Sequence, residues 1–209
     1  MTAGHEALVR LREGNRRFVA SIADTASALS ETRRLALAEG QQPFAIVLGC
    51  SDSRVPAELV FGQGLGELFV IRVAGNIVAP SQVGSVEFAA ARFGTRLVVV
   101  LGHTECGAIT ATIEELRQPA PHHSPGLRAI VDRIRPAVEP LLATPLGQQA
   151  EVLMAYAVRA NIRAAVDHLR HGSAILERLV ERDGLLVVGA EYCLRTGIVE
   201  FFDGAPEAA

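Results

Sequence analysis

Four short, continuous apolar runs constrain the fold of this chain more than any other feature of its sequence. They cover residues 44–48, 68–71, 97–101 and 185–188, and glycine or polar residues bound each of them. Apolar runs of this length are typical of strands that are buried on both faces, as in a parallel sheet. Segments long enough for helices separate the runs, so the sequence predicts an α/β fold with a mostly parallel central β-sheet flanked by helices.

The helical pattern begins before the first strand. Apolar residues recur at helical spacing within residues 7–19, and a second helix is predicted over residues 25–39, ending at Gly40. We expect these two helices to form an N-terminal arm whose apolar stripes need a partner surface. Further helices are predicted over residues 82–93, 107–116, 127–138 and 148–182, the last broken near Gly172.

Composition excludes several classes of function. All 20 basic residues are arginine, so reactions that need a lysine amine, such as Schiff-base formation, cannot occur. The net charge of -3 gives no general attraction to nucleic acid or anionic membranes, and no apolar run approaches the length of a membrane span. Charges are scattered through the N-terminus, unlike a signal peptide, and three cysteines are too few for a secreted disulfide framework. We therefore predict a cytoplasmic protein that binds neither nucleic acid nor membranes.

Two groups of reactive side chains directly follow predicted strands. Cys50, Asp52 and Arg54 follow the first run, and His103 and Cys106 follow the third. Ligands of open parallel sheets bind beyond the carboxyl ends of the strands, where these residues are expected. Two thiolates and one imidazole suit Zn²⁺ and leave its fourth position open, although the ligand types alone do not distinguish zinc from cobalt or iron. In the alternative interpretation, the cysteines are small core residues and the histidine satisfies a backbone carbonyl.

The sequence around these groups resembles the β-class carbonic anhydrases, in particular their plant-like branch. The resemblance rests on CSDSRVPAE at residues 50–58 and GHTECG at residues 102–107, and it continues through residues 64–70, 72–76 and 84–88. It implies the reversible hydration of carbon dioxide to bicarbonate and a proton, through a zinc-bound hydroxide. One zinc ion per subunit would be bound by Cys50, His103 and Cys106.

The resemblance also implies an organisation for the whole chain. Residues 1–209 would form a single domain, in which a helical arm (1–40) precedes the zinc-site core (41–116) and a helical segment with the C-terminal strands (117–209). The active molecule would be a homodimer or a multiple of it, such as a homotetramer.

By the same resemblance, Asp52 and Arg54 form the catalytic pair. Two thiolates weaken zinc as a Lewis acid, so the carboxylate is needed to orient the attacking hydroxide and to pass on a proton. A carboxylate is also a good fourth zinc ligand, and Asp52 on the metal would close the site. The planar guanidinium of Arg54 can hold both Asp52 oxygens and keep them off the metal. We expect alkaline conditions to favour this open form.

Five further residues are predicted to bind substrate. By resemblance, Gln41 would hydrogen-bond bicarbonate, and three apolar residues would line the carbon dioxide pocket, while a backbone N–H after the last zinc ligand would bind an oxyanion. These last four residues are Phe69, Ala74, Phe88 and Gly107. Gln41 and Phe88 would complete the active site of a second subunit. The apolar members are equally compatible with a plain core.

One departure from part of the family favours the plant-like branch. Some members carry a Trp, Arg, Tyr trio that binds inhibitory bicarbonate, whereas this chain has Val47, Arg72 and Phe88 at those positions.

Two other functions share the same ligand set. Relatives with these ligands act on carbon disulfide or carbonyl sulfide, and a regulatory protein could hold a purely structural zinc closed by Asp52. The intact Arg54 argues against the structural alternative, because a closed site has no use for it. No role is assigned to Cys193, His122 or His123.

Overall fold

A computed structural model describes residues 2–20, 31–118 and 124–206 of the chain. His122 and His123 lie outside these residues, and so does the first part of the predicted second helix, residues 25–30.

The central sheet has five strands in the described part of the chain, and the predicted α/β fold is confirmed. The strands are β1 (Ala45–Gly49), β2 (Leu68–Arg72), β3 (Leu97–His103), β4 (Leu186–Tyr192) and β5 (Val199–Asp203). Their spatial order is β2-β1-β3-β4-β5; the first four are parallel, and β5 runs antiparallel beside β4. The four apolar runs correspond to β1–β4, whereas β5 matches none of the predicted runs.

Eight α-helices lie among the described residues. They are α1 (Ala3–Val19), α2 (Glu31–Ala36), α3 (Ala57–Val60), α4 (Pro80–Arg92), α5 (Gly107–Arg117), α6 (Pro125–Leu142), α7 (Ala150–His171) and α8 (Ala174–Arg182). The long predicted segment does break at Gly172, and the Ser173 hydroxyl caps α8 by accepting the N–H of Leu176. Helix α6 runs past its predicted end at residue 138 because Leu141 and Leu142 still pack on the core. None of the described helices has the length and apolar character of a membrane span.

Alternate residues of the strands point into two apolar layers. Ile46 and Leu48 of β1 face the layer that contains α4–α8, whereas Val47 faces the layer that contains α1 and α3. Of the α1 stripe that was expected to need a partner, Ala7, Leu8 and Leu11 are buried in this second layer, Phe18 packs partly buried against it, and Val19 is exposed. Most of the apolar stripe of α1 is therefore covered within the protomer, and that part does not call for a second subunit.

Candidate metal centre

The two groups of reactive side chains meet at the carboxyl ends of two neighbouring strands. Cys50 directly follows β1, His103 is the last residue of β3, and Cys106 immediately precedes the first residue of α5. β1 and β3 are neighbours, and the chain leaves β1 towards β2 on one side and β3 towards β4 on the other. A crevice forms where the strand order reverses in this way, and it is the usual binding position in open α/β sheets.

Three donor atoms face one another in this crevice. The Sγ atoms of Cys50 and Cys106 and a ring nitrogen of His103 all lie within 4.8 Å of one another, and all three residues are buried. His103 Nδ1 lies 2.9 Å from the carbonyl oxygen of Thr104, whereas His103 Nε2 is buried without a hydrogen-bond partner. A hydrogen bond to the carbonyl places the proton on Nδ1, which leaves the lone pair of Nε2 for a metal.

The two sulfur atoms compete for one proton. The pKa of Cys50 is lowered to about 4, chiefly by a hydrogen bond from the Cys106 thiol and further by His103 and the backbone N–H of Gly75, which lies 3.3 Å from Cys50 Sγ. The pKa of Cys106 is raised by the same pairing and by burial. Metal binding requires both thiols to be deprotonated, so a divalent cation would take the place of the shared proton.

Asp52 and Arg54 form a two-pronged ion pair beside these donors. Arg54 donates from Nε to Asp52 Oδ1 at 2.9 Å and from Nη2 to Asp52 Oδ2 at 2.7 Å. The backbone N–H of Arg54 also donates to Asp52 Oδ1 at 2.9 Å, and Asp52 Oδ2 lies 3.8 Å from His103 Nε2. The side-chain hydrogen bonds from Arg54 hold the pKa of Asp52 well below its ordinary value, so the carboxylate is ionised.

Arg72 braces the loop that carries Cys50 and Asp52. Its Nε donates to the carbonyl oxygen of Cys50 at 3.1 Å, and its Nη2 donates to the carbonyl oxygen of Asp52 at 2.6 Å. This guanidinium is therefore engaged by the main chain of the site.

Two of the five predicted substrate residues lie beside the donors. Gly107 is the first residue of α5, is exposed, and has open space where a Cβ would be. Its N–H is among the helix-terminal donors that have no partner within the helix. Ala74 lies in the 3₁₀ turn that follows β2 and is adjacent to Gly75, which contacts Cys50 Sγ.

The other three residues that were predicted to bind substrate lie towards the amino ends of the parallel strands. Gln41 is exposed and precedes β1, whose five residues alone separate it from Cys50 by roughly 16 Å. Phe69 pairs in register with Ile46, near the start of β1, and its ring centroid is 6.1 Å from that of Phe88 on α4. Within one protomer these residues do not reach the metal ligands, and their assignment stays a prediction.

Several groups that support the site, most of them main-chain groups, were not predicted as functional. Gly75 and Arg72 lie inside the segment 72–76 that carries the resemblance, but nothing in the sequence ties them to Cys50. Thr104 and Glu105, which lie between two predicted ligands, supply carbonyl oxygens to His103 and Arg54. Two features of the sequence could have indicated these groups. One is Gly75 within the segment 72–76, and the other is the two-residue loop between His103 and Cys106.

Known proteins share both the sequence and the fold. A family profile described as carbonic anhydrase matches residues 45–199. Carbonic anhydrase 2 of Mycobacterium tuberculosis is 37% identical over 189 residues, which cover 90% of this chain and 87% of that protein. The solved β-carbonic anhydrase of Coccomyxa, in complex with acetazolamide, is 26% identical with a TM-score of 0.72, over 88% of this chain and 82% of that one. A tetrameric β-carbonic anhydrase from Sordaria macrospora has the same TM-score of 0.72 at 20% identity, over 88% and 92% of the two chains. The chain therefore belongs to the carbonic anhydrases, the lyases that hydrate carbon dioxide reversibly, and within them to the β class.

Proposed function

We propose that this protein hydrates carbon dioxide at a zinc ion held by Cys50, His103 and Cys106, with Asp52 and Arg54 as its catalytic pair. The observation that carries the proposal is the engaged Asp52–Arg54 pair directly beside three buried donors. A structural site would need a fourth ligand, and the Asp52 carboxylate beside the donors is instead held by an arginine.

The donor set fits zinc in its chemistry. His103 Nε2 is a buried nitrogen without a hydrogen-bond partner, and the two cysteine sulfur atoms lie within 4.8 Å of a ring nitrogen of His103. Thiolate and imidazole suit zinc, while cobalt and iron remain compatible with the same donors. When bound, zinc would lower the pKa of a coordinated water molecule to roughly 7.

The side chains of the pair would then divide the work. Asp52 would accept a hydrogen bond at Oδ2 from the reacting hydroxide and orient its lone pair towards carbon dioxide, and it would pass the proton that water releases on to solvent. Arg54 holds both carboxylate oxygens and so opposes their binding to the metal. In the closed form, Asp52 would leave Arg54 and become the fourth ligand. A crystal series across pH in which Asp52 never leaves Arg54 would argue against that form.

Substrate would bind between the metal ligands and the start of α5. The exposed N–H of Gly107 would donate to an oxygen of bicarbonate, and Ala74 would supply apolar surface on the other side. We propose that Gln41, Phe69 and Phe88 serve the active site of a second subunit. Phe88 is 53% exposed beside Phe69 and Phe93, and these rings form an apolar surface suited to a partner.

Isotope exchange between carbon dioxide and water tests the proposal. Elemental analysis first establishes how much zinc the purified protein holds. With zinc loaded, we expect Asp52→Asn and Arg54→Ala each to lower the exchange rate by about 10²-fold or more. Asp132→Asn is the matched control, because Asp132 is exposed on α6, and this substitution should leave the exchange rate unchanged.

The outcomes separate the alternatives. A zinc-loaded wild type without exchange at alkaline pH would refute the enzyme, and hydrolysis of carbon disulfide or carbonyl sulfide in that case would identify the related lyase. Full exchange activity in Asp52→Asn would instead remove the carboxylate from the mechanism.

A further inference from the structure

The two-residue loop Thr104–Glu105 links the metal ligands His103 and Cys106, and every polar group of Thr104 is engaged. Its N–H donates to the carbonyl oxygen of Tyr192 at 3.0 Å, and its carbonyl oxygen lies 2.9 Å from His103 Nδ1. Its hydroxyl oxygen accepts the N–H of Leu194 at 3.1 Å. The first of these bonds extends the ladder between β3 and β4 by one rung, whereas the other two depart from it.

The departure has a simple geometric meaning. In a parallel ladder, a residue that donates its N–H to the neighbouring strand also accepts, at its own carbonyl, the N–H two residues further along that strand. Thr104 donates to Tyr192, so its carbonyl would ordinarily accept from Leu194. The hydroxyl takes that N–H instead, and the carbonyl is left for the imidazole of His103.

We propose that the Thr104 hydroxyl is a positioning group for the metal centre, because it replaces the Thr104 carbonyl as the acceptor for Leu194 and frees that carbonyl to orient His103. The inference rests on the proposed metal site. A carbonyl that had to serve both Leu194 and His103 would turn away from the ring, and Nε2 would lose its fixed direction towards the two sulfur atoms.

The same loop also positions the arginine of the catalytic pair. Glu105 has a positive φ of 56°, and its carbonyl oxygen accepts from Arg54 Nη2 at 3.3 Å. An ion pair between Arg195 and the Glu105 carboxylate, at 3.0 Å, ties this residue to the turn after β4. Both side chains of that ion pair are largely exposed, so it contributes little compared with the hydrogen bond of the Thr104 hydroxyl.

Cobalt titration of the metal-free protein tests the proposal without relying on activity. Thr104→Val removes the hydroxyl at constant shape, and Thr104→Ser keeps it. We expect Thr104→Val to weaken cobalt and zinc binding by about 10- to 100-fold and to change the visible cobalt spectrum, while Thr104→Ser stays within about twofold of wild type. In the zinc-loaded enzyme, kcat should fall in Thr104→Val with KM nearly unchanged.

Two controls isolate the hydroxyl. Thr112→Val removes a buried hydroxyl that donates to the Ala108 carbonyl within α5, so it reports the general cost of such a loss. Arg195→Gln removes only the exposed ion pair, and both variants should keep the wild-type spectrum. Thr104→Ala, which also lacks the acceptor, replaces Thr104→Val if the valine variant does not fold.

The results distinguish failure of the inference from failure of the proposed function. A wild type that binds neither cobalt nor zinc would refute the metal site itself. If the wild type binds metal and Thr104→Val binds it equally well with the same spectrum, the positioning role is wrong. It is also wrong if Thr104→Ser is as impaired as Thr104→Val, or if Arg195→Gln reproduces the defect.

Discussion

At the scale of single residues, the chain directs the metal donors largely through its main chain. The Gly75 N–H reaches the sulfur of Cys50, the Thr104 carbonyl faces the imidazole of His103, and Arg72 holds the carbonyl oxygens of Cys50 and Asp52. Side chains with recognisable chemistry could be predicted from the sequence, and all of Cys50, His103 and Cys106 do converge. Their main-chain partners could not be predicted, because every residue carries the same backbone groups and only the fold decides which ones meet a ligand.

Gly75 provides a test of this main-chain support. Its φ is +69°, and a Cβ there would lie 2.8 Å from Ile134 Cδ1 and 3.0 Å from the Cβ of Ala108. We expect Gly75→Ala to lower the free energy of unfolding by about 1–3 kcal/mol and to weaken metal binding, because the backbone must shift its N–H away from Cys50 Sγ. Urea unfolding and chelator competition measure the two effects.

A second glycine serves as the control for that substitution. Gly84 lies inside α4 with open space where a Cβ would be and with no positive φ. Gly84→Ala should stabilise the protein by about 0.5–1 kcal/mol through helix propensity and leave metal binding unchanged. Equal metal affinity in Gly75→Ala and wild type would show that the N–H of Gly75 is not needed by the site.

At the scale of elements, strands buried on both faces were predicted well, and the elements at the margin of the sheet were not. β1 and β3 are buried throughout, and each contains one of the continuous apolar runs from which a strand was predicted. β5 is an edge strand with only Val199 buried, and its mixture of charged and aromatic residues gives neither a continuous apolar run nor a strict alternation. The docking of α1 onto its own sheet could not be read from its stripe either, because an apolar stripe does not specify which surface covers it.

Asn15 joins α1 by hydrogen bonds to the main chain of α3 and of the segment at the start of β5. Its Nδ2 donates to the carbonyl oxygens of Val60 and Gly197 at 3.0 and 2.8 Å, and its Oδ1 accepts the N–H of Val199 at 2.9 Å. Asn15→Ala leaves these three main-chain groups without their partner in a buried place, so we expect the free energy of unfolding to fall by about 2–4 kcal/mol.

Urea unfolding of Asn15→Ala beside Glu13→Gln measures that effect. Glu13 is exposed on the same helix, so its substitution should change the free energy of unfolding by less than about 0.5 kcal/mol. Matching stabilities for the two variants would mean that α1 is held by its apolar contacts alone.

At the scale of the whole molecule, the residues assigned to one reaction lie at opposite ends of the parallel strands. Cys50 and Asp52 follow the carboxyl end of β1, whereas Gln41 precedes its amino end. A single protomer cannot bring the two ends of its strands together, but a two-fold dimer can place Gln41 of one subunit against Cys50 of the other. The single domain over residues 1–209, the cytoplasmic location and the dimer itself stay predictions at this scale.

Mixing two inactive variants decides whether the active site is shared between subunits. We expect Gln41→Ala and Asp52→Asn each to have little activity alone. When both are co-expressed with different affinity tags, the doubly purified mixed dimer would contain one site with Asp52 and Gln41 both intact and one site with neither, so it should have about half of wild-type activity. If Gln41 served its own subunit, every site in the mixed dimer would carry one defect and no activity would return. Isotope exchange measured on the doubly purified dimer distinguishes these results, and full activity of Gln41→Ala alone would remove Gln41 from the active site.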